Sequence, residues 1–249
     1  KRDKLGISTR EKAHSLLYAM CEQLTNTDVM DKNPCKATRG DHPEINPVAM
    51  AAGDVARLNT LLDSWGPGPL SPFPVSVKMA LNTGMREAEI SALRWRDVTL
   101  EGDNPHIHVC RAFGRAGGKL YVKDCKNHQD RVIPVTPELL KILKARRALM
   151  VDQCEELETA LDPNTYVTGD AGGKFYHPGM LGKRWASYAD EHGVVGYDRK
   201  GETHALTFHG LRHTYATLAL GAGMEYHVLQ SILGHSSITI AMNAYVTTM

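Results

Sequence analysis

Thr207-Phe208-His209-Gly210-Leu211-Arg212-His213-Thr214-Tyr215-Ala216-Thr217 gathers titratable and cationic side chains within one short run. The pattern predicts a helix over 207–222, ended by Gly221 and Gly223. His209 and Arg212 are three residues apart, so on that helix they share a face. A guanidinium fork beside a titratable imidazole suits an anionic oxygen such as that of phosphate. Alone, the pair is a weak signal, because a surface His-Arg pair more often occurs by chance. The reading turns on what the rest of the chain places beside it.

Three further segments carry the same kind of chemistry. Downstream, Leu233-Gly234-His235-Ser236-Ser237 ends one helix and caps another, and Tyr245 follows ten residues after His235. Upstream, Thr83-Gly84-Met85-Arg86-Glu87-Ala88-Glu89 sets Arg86 at the start of a helix after a turn. Between them, Lys126 precedes Arg131-Val132-Ile133-Pro134 by five residues, in a turn between two expected strands.

Together these segments resemble the tyrosine recombinase (phage integrase) family. The match comprises Gly84-Met85-Arg86-Glu87-Ala88-Glu89-Ile90 with Leu93-Arg94-Trp95-Arg96-Asp97-Val98, then Lys126, His209-Gly210-Leu211-Arg212-His213-Thr214, Leu233-Gly234-His235-Ser236 and Tyr245. The boxes stand in the family's order over about residues 50 to 249. Two features depart from the pattern. Gly210 stands where the family usually has Asp, and few residues follow Tyr245, so the trailing segment used to dock on a neighbour is expected to be short.

The resemblance implies site-specific cleavage and rejoining of DNA through a 3′-phosphotyrosyl link. Charge building on the non-bridging oxygens calls for preorganised donors, each worth roughly 3–4 kcal/mol. Arg86 and Arg212 are the implied clamp, with His235 as a third donor. His209 is implied to move the proton off Tyr245, whose phenol has an ordinary pKa of about 10. Lys126 is implied to protonate the departing 5′-oxygen, although Lys119 and Lys123 lie close by. Tyr215 and Tyr226 are the other tyrosines near the boxes, but Tyr245 alone follows Leu-Gly-His at the family's spacing. Glu89 is expected either as a supporting carboxylate that holds a cation or His, or as a purely structural residue. The phosphotyrosyl link conserves the bond energy, so no metal, ATP or other cofactor is expected. The implied partners are double-stranded DNA attachment sites, further copies of the chain in a tetrameric synapse on DNA, and an accessory directionality factor. A mobile-element integrase is the expected type.

Composition bounds this reading without supplying it. The 249 residues are 42% apolar and 23% charged, which excludes a disordered or collagen-like polymer. Lys plus Arg number 29 and Asp plus Glu 28, so global charge carries no argument for nucleic acid. Local charge does. Residues 105–147 hold ten Lys/Arg against three Asp/Glu, a local +7, whereas 148–170 hold six acids and no Lys/Arg. Five widely spaced cysteines without a C-x-x-C argue against a disulfide scaffold or Cys-rich zinc site and for a reducing cytoplasm. No apolar run is long enough for a membrane span. The start at Lys1 lacks the apolar segment of a signal peptide, and it lacks a Met, which suggests a trimmed chain or a fragment.

The expected fold is α+β and mainly α-helical, a recombinase catalytic domain with a small three-stranded antiparallel sheet. Helices are predicted over 8–24, 54–65, 75–81, 86–95, 137–161, 179–192, 207–222, 225–233 and 237–246. Ser8-Thr9-Arg10-Glu11 fits a capping box, and Leu16, Leu17, Met20 and Leu24 line one face. The strands are expected at 106–110, 119–123 and 131–135, with Gly114 and Gly117-Gly118 in turns and Pro134 at an edge or strand end. Residues 1–40 are expected to be the C-terminal part of a helical core-binding (SAM-like) domain and linker, and 41–249 the catalytic domain. Three rivals compete: a metal enzyme using the i,i+4 pair His209 and His213 with His106 and His108, a type IB topoisomerase, and a DNA-binding regulator without catalysis.

Overall fold

A computed structural model of the chain describes residues 6–38, 47–124 and 130–234. Contacts divide the chain into two units, Lys1–Ile45 and Asn46–Met249.

The first unit is built on helix α1, Ile7–Asn26. Gly6 occupies its N-cap and no side chain caps it, so the expected Ser8–Glu11 box lies inside the helix. Within its own unit α1 buries no residue, and Leu16, Leu17 and Met20 are exposed. Asn33 folds the following segment back. Its Nδ2 donates to the Tyr18 carbonyl (3.1 Å) and to Glu22 Oε2 (2.7 Å), and its Oδ1 caps a short 3-10 turn at Pro34–Ala37 by accepting from the Cys35 amide (2.9 Å).

The second unit is organised around a helix buried on nearly every side. Helix α2 (Ala52–Asp63) is followed by Gly66-Pro67-Gly68-Pro69, and α3 (Pro72–Thr83) then runs with Phe73 through Leu81 all buried. A helix buried all round needs partners on every face. α4 (Glu87–Ala92), α5 (Pro137–Glu156) and α7 (Phe208–Gly221) supply them together with α2. α6 (Pro178–Glu191) closes the core with Trp185, whose Nε1 donates to the Leu206 carbonyl at 2.7 Å. Trp65, Phe73 and Tyr188 pack as a ring triad with centroids 4.8–5.4 Å apart. Helix α8 is Tyr226–Leu233.

Helix α5 stops at Glu156, short of the expected 161. Its last turn carries acids and no base, which opposes the helix dipole, and Glu158 takes a positive φ of 54°. The region 86–95 is likewise split into α4 and a 3-10 turn at Trp95–Asp97. Residues 237–246, expected to be helical, lie outside the described residues.

A three-stranded antiparallel sheet is present, with a membership that differs from expectation. Its order is β1 (Val98–Thr99), β2 (His106–Val109), β5 (Arg131–Pro134), with Ile107 opposite both Val98 and Ile133. Strands β3 (Arg111–Ala116) and β4 (Lys119–Asp124) form a separate hairpin whose two-residue turn is Gly117-Gly118, both at positive φ. Gly114 lies inside β3 rather than in a turn. Tyr121 sits opposite it, and a Cβ there would lie 2.7 Å from the Tyr121 ring. A further hairpin, β6 (Val195–Tyr197) with β7 (Thr203–Ala205), lacks any alternating apolar signal, since all three β7 residues are exposed.

Candidate active site

Three stretches far apart in sequence meet at the C-terminal end of α3. Gly84 ends that helix in the left-handed conformation (φ 62°), and its Cβ position would lie 2.6 Å from both Leu233 Cδ2 and Tyr215 Cδ1. Only a glycine meets both demands without displacement. Arg212, 1% exposed on α7, reaches across this junction. Its Nη1 donates to the Gly84 carbonyl and its Nη2 to the Leu233 carbonyl, each at 2.6 Å. One side chain thus ties together the Gly-x-Arg, His-x-x-Arg and Leu-Gly-His boxes.

Arg86 is the N-cap of α4, and its side chain is 44% exposed. Glu89, one turn on, is 4% exposed and turns back on it. The carboxylate accepts the Arg86 backbone amide on Oε2 (2.8 Å) and the Arg86 Nη1 on Oε1 (2.9 Å). It also accepts both terminal nitrogens of Arg131, at 3.1 Å and 2.7 Å. Burial pushes the Glu89 carboxyl upward in pKa, but the Arg131 and Arg86 hydrogen bonds and charges outweigh burial and hold it at about 2.

His209 keeps solvent access on the first turn of α7, which Thr207 caps by accepting from the Gly210 amide at 3.1 Å. Partial loss of hydration lowers its pKa, and the Arg212 and Arg86 charges lower it further. The ring of His213 meets it edge-on at 4.9 Å. Burial first, then His209 and Arg212, bring His213 down to about 4. Gly210 has no room for the Asp of the family pattern without a shift, because a Cβ would lie 2.5 Å from Leu206 Cδ1, and Leu206 is itself buried.

Arg86, Glu89, His209 and Arg212 are therefore brought into one neighbourhood. Lys126, His235 and Tyr245 lie outside the described residues. Of the alternative residues, Tyr215 packs beside Gly84 with its phenol pKa raised by burial, and Lys119 is exposed on β4. The metal-enzyme rival draws on His209 and His213, with His106 and His108 as added ligands. Among the described residues the one group of three or more with metal-ligand reach is Asp198, Glu202 and His204, on the β6–β7 hairpin, and it includes none of the four.

In the sequence Arg131 stands as a landmark for Lys126 and not as a partner of Glu89. Its signal is alternation: Arg131 and Ile133 are buried while Val132 and Pro134 are exposed, so a charged residue takes an inward position in β5. The charge of the 105–147 stretch is also smaller at the surface than the sequence count. Arg131 and Arg146 are buried, Arg111 is paired with Asp97, and Lys144 with Glu101. Arg146 donates to the carbonyls of Val167, Leu70 and Gly169, and burial lowers its pKa to about 10.

Residues 54–249 match the model of the phage integrase family. The chain belongs to that family. Among integrase relatives, the phiRv2 prophage integrase of Mycobacterium tuberculosis is 26% identical over 238 residues, which is 94% of this chain and 56% of that protein. The tyrosine recombinase XerC of Herpetosiphon aurantiacus is 26% identical over 243 residues, 96% of this chain and 69% of that one. The chain thus spans a little over half the length of the first of these relatives. The integrase fold is also seen in a solved structure of the Tn1549 transposon integrase in complex with transposon right end DNA (TM-score 0.73, 21% identity, all of this chain and 78% of that one). Among the described residues, no helix of this integrase-family chain is long and apolar enough to cross a membrane.

Proposed function

We propose that this protein is a site-specific DNA recombinase that cleaves and rejoins strands through a 3′-phosphotyrosyl link on Tyr245. The observation that carries the reading is the meeting of three boxes: Arg212 holds the Gly84 and Leu233 carbonyls, and the charges of Arg212 and Arg86 both act on His209. Family membership supports it.

Attack on a phosphodiester needs donors preset where the non-bridging oxygens gain charge, because donors that need not reorganise lower the barrier most. Arg86 presents an exposed side chain held by Glu89. Arg212 commits its two terminal nitrogens to the Gly84 and Leu233 carbonyls, which fixes where its guanidinium charge lies. His235 is the third donor. His209, its pKa lowered first by burial and then by the Arg212 and Arg86 charges, suits acceptance of the Tyr245 proton. Lys126 protonates the 5′-oxygen as it leaves. A second 5′-hydroxyl reverses the step and joins the strands, with no ATP, metal or cofactor called for.

The partners are double-stranded attachment sites, with four copies of the chain in the synapse, a separate directionality factor and a cytoplasmic setting. Residues 1–40 are read as part of the core-binding domain and linker, and 41–249 as the catalytic domain. The test is trapping. A nicked suicide duplex carrying the joined ends of the encoding element should yield a covalent adduct on Tyr245, lost in Y245F with DNA binding retained. A topoisomerase would instead relax supercoils on any sequence, and a regulator would bind equally with and without the phenol. No adduct on any attachment-site duplex would sink the reading.

A further inference from the structure

Arg131 is a buried cation in a strand, 101 residues from one partner in sequence and 42 from the other. A buried ion pair is poor value as a stabiliser, because desolvation offsets most of its Coulomb gain. An apolar residue beside Ile133 would fill the same inward position of β5. What an apolar residue cannot do is fix two separate elements at a set distance. The planar fork of arginine can, since its donors point in fixed directions.

The geometry uses all three directions. The two terminal nitrogens of Arg131 take both oxygens of Glu89, and its Nε donates to the Ile232 carbonyl at 2.5 Å. Each Glu89 oxygen is thereby shared between an Arg131 nitrogen and an Arg86 nitrogen. Ile232 belongs to the last turn of α8, whose next carbonyl, Leu233, is taken by Arg212. Gly234 then turns the chain at φ 62°, and a Cβ there would lie 3.2 Å from Arg131 Cδ and Nη1. In sequence, the next residue is His235.

We infer that Arg131 is a positioning residue for strand cleavage: it locks the Glu89 carboxylate that orients Arg86 and pins the end of α8 from which His235 follows. This rests on the strand-cleavage reading above. Arg131 need touch neither DNA nor the scissile phosphate. Its loss leaves Glu89 with half its donors and Arg86 anchored on a carboxylate that can swing. Misplacement of a clamp by about 1 Å costs on the order of 100-fold in rate.

The experiment compares the parent with R131Q and R131K, the latter keeping the charge and losing the fork. Single-turnover cleavage of the nicked suicide duplex should fall on the order of 100-fold in R131Q, and DNA affinity should stay within about threefold. R131K should recover folding but little of the rate. In parallel, the Glu89 side-chain carboxyl is followed by 13C NMR against pH, a readout that needs no cleavage. Its titration, near pH 2 in the parent, should move clearly upward in both variants. Parent-like cleavage, a rate restored in full by lysine, or a Glu89 titration that does not move would each overturn the inference. A parent that forms no adduct removes the cleavage reading instead, and the NMR arm still decides whether Arg131 holds Glu89.

Discussion

The Nη1 of Arg212 donates to the carbonyl oxygen of Gly84 at 2.6 Å, across 128 residues of sequence. Both atoms belong to motif residues, yet the contact is backbone to side chain and needs the left-handed turn at Gly84 to aim the carbonyl. The junction is tight on its other side as well, where Leu233 and Tyr215 fill the space a side chain would need.

Gly84→Ala should therefore be destabilising beyond ordinary glycine loss. Left-handed backbone and overpacking together cost about 2–4 kcal/mol. For a chain of this size that lowers Tm by roughly 5–15 °C, measurable by thermal or urea denaturation. A Tm within 2 °C of the parent, by the same scale, would mean the junction relaxes freely.

Glu89 should make stability depend on acid. Its folded pKa of about 2 lies below the ordinary 4.5, so its contribution is complete above about pH 4.5. The contribution is lost as pH falls from there toward 2. Glu89→Ala should remove this acid limb and cost about 3–5 kcal/mol at neutral pH, since it strands Arg131 buried without its partner. Urea midpoints at pH 7 and pH 3.5, compared between parent and variant, give the answer.

His213 should add a second slope at higher pH. Its folded pKa of about 4 lies below the ordinary 6.5, so between these values the unfolded chain binds more protons. Stability is then full above about pH 6.5 and declines as pH drops toward 4. His209, shifted the same way, adds to it. Difference curves for His213→Gln against parent should flatten in this window, and an unchanged slope would refute the assignment.

DNA binding should be salt-sensitive through the exposed end of the β3–β4 hairpin. Arg115 and Lys119 flank the Gly117-Gly118 turn, and both are exposed. If each neutralises one phosphate, R115A/K119A lowers the slope of log affinity against log salt by about 1.8. Arg146→Met should leave that slope untouched, because Arg146 faces carbonyls in the interior. Fluorescence anisotropy from 50 to 300 mM salt separates the two, and identical slopes in R115A/K119A and parent would discard the hairpin as a phosphate contact.

Local chemistry made much of this protein legible in its sequence. The helices expected over 137–161, 179–192 and 207–222 match α5, α6 and α7 to within one residue at every end except the C-terminus of α5. Gly84, Arg86, His209 and Arg212 stood out because their neighbours form short boxes of recognisable spacing. Strand partnership was not legible: Val98–Thr99 is too short to show alternation, and nothing local separates residues 119–124 from the sheet formed by 131–134. Gly114 read as a turn because its role depends on Tyr121, a cross-strand neighbour.

The sequence by itself determined which side chains bear the chemistry and where most helices run, because both are set by residues within a few positions of each other. Tertiary structure alone decided which charges face inward. Arg131 and Arg146 look like their exposed neighbours as residues, and only packing brings Glu89, Ile232, Leu70, Val167 and Gly169 against them. A buried charge is tolerated where partners from distant segments converge on it, and that convergence is a property of the fold.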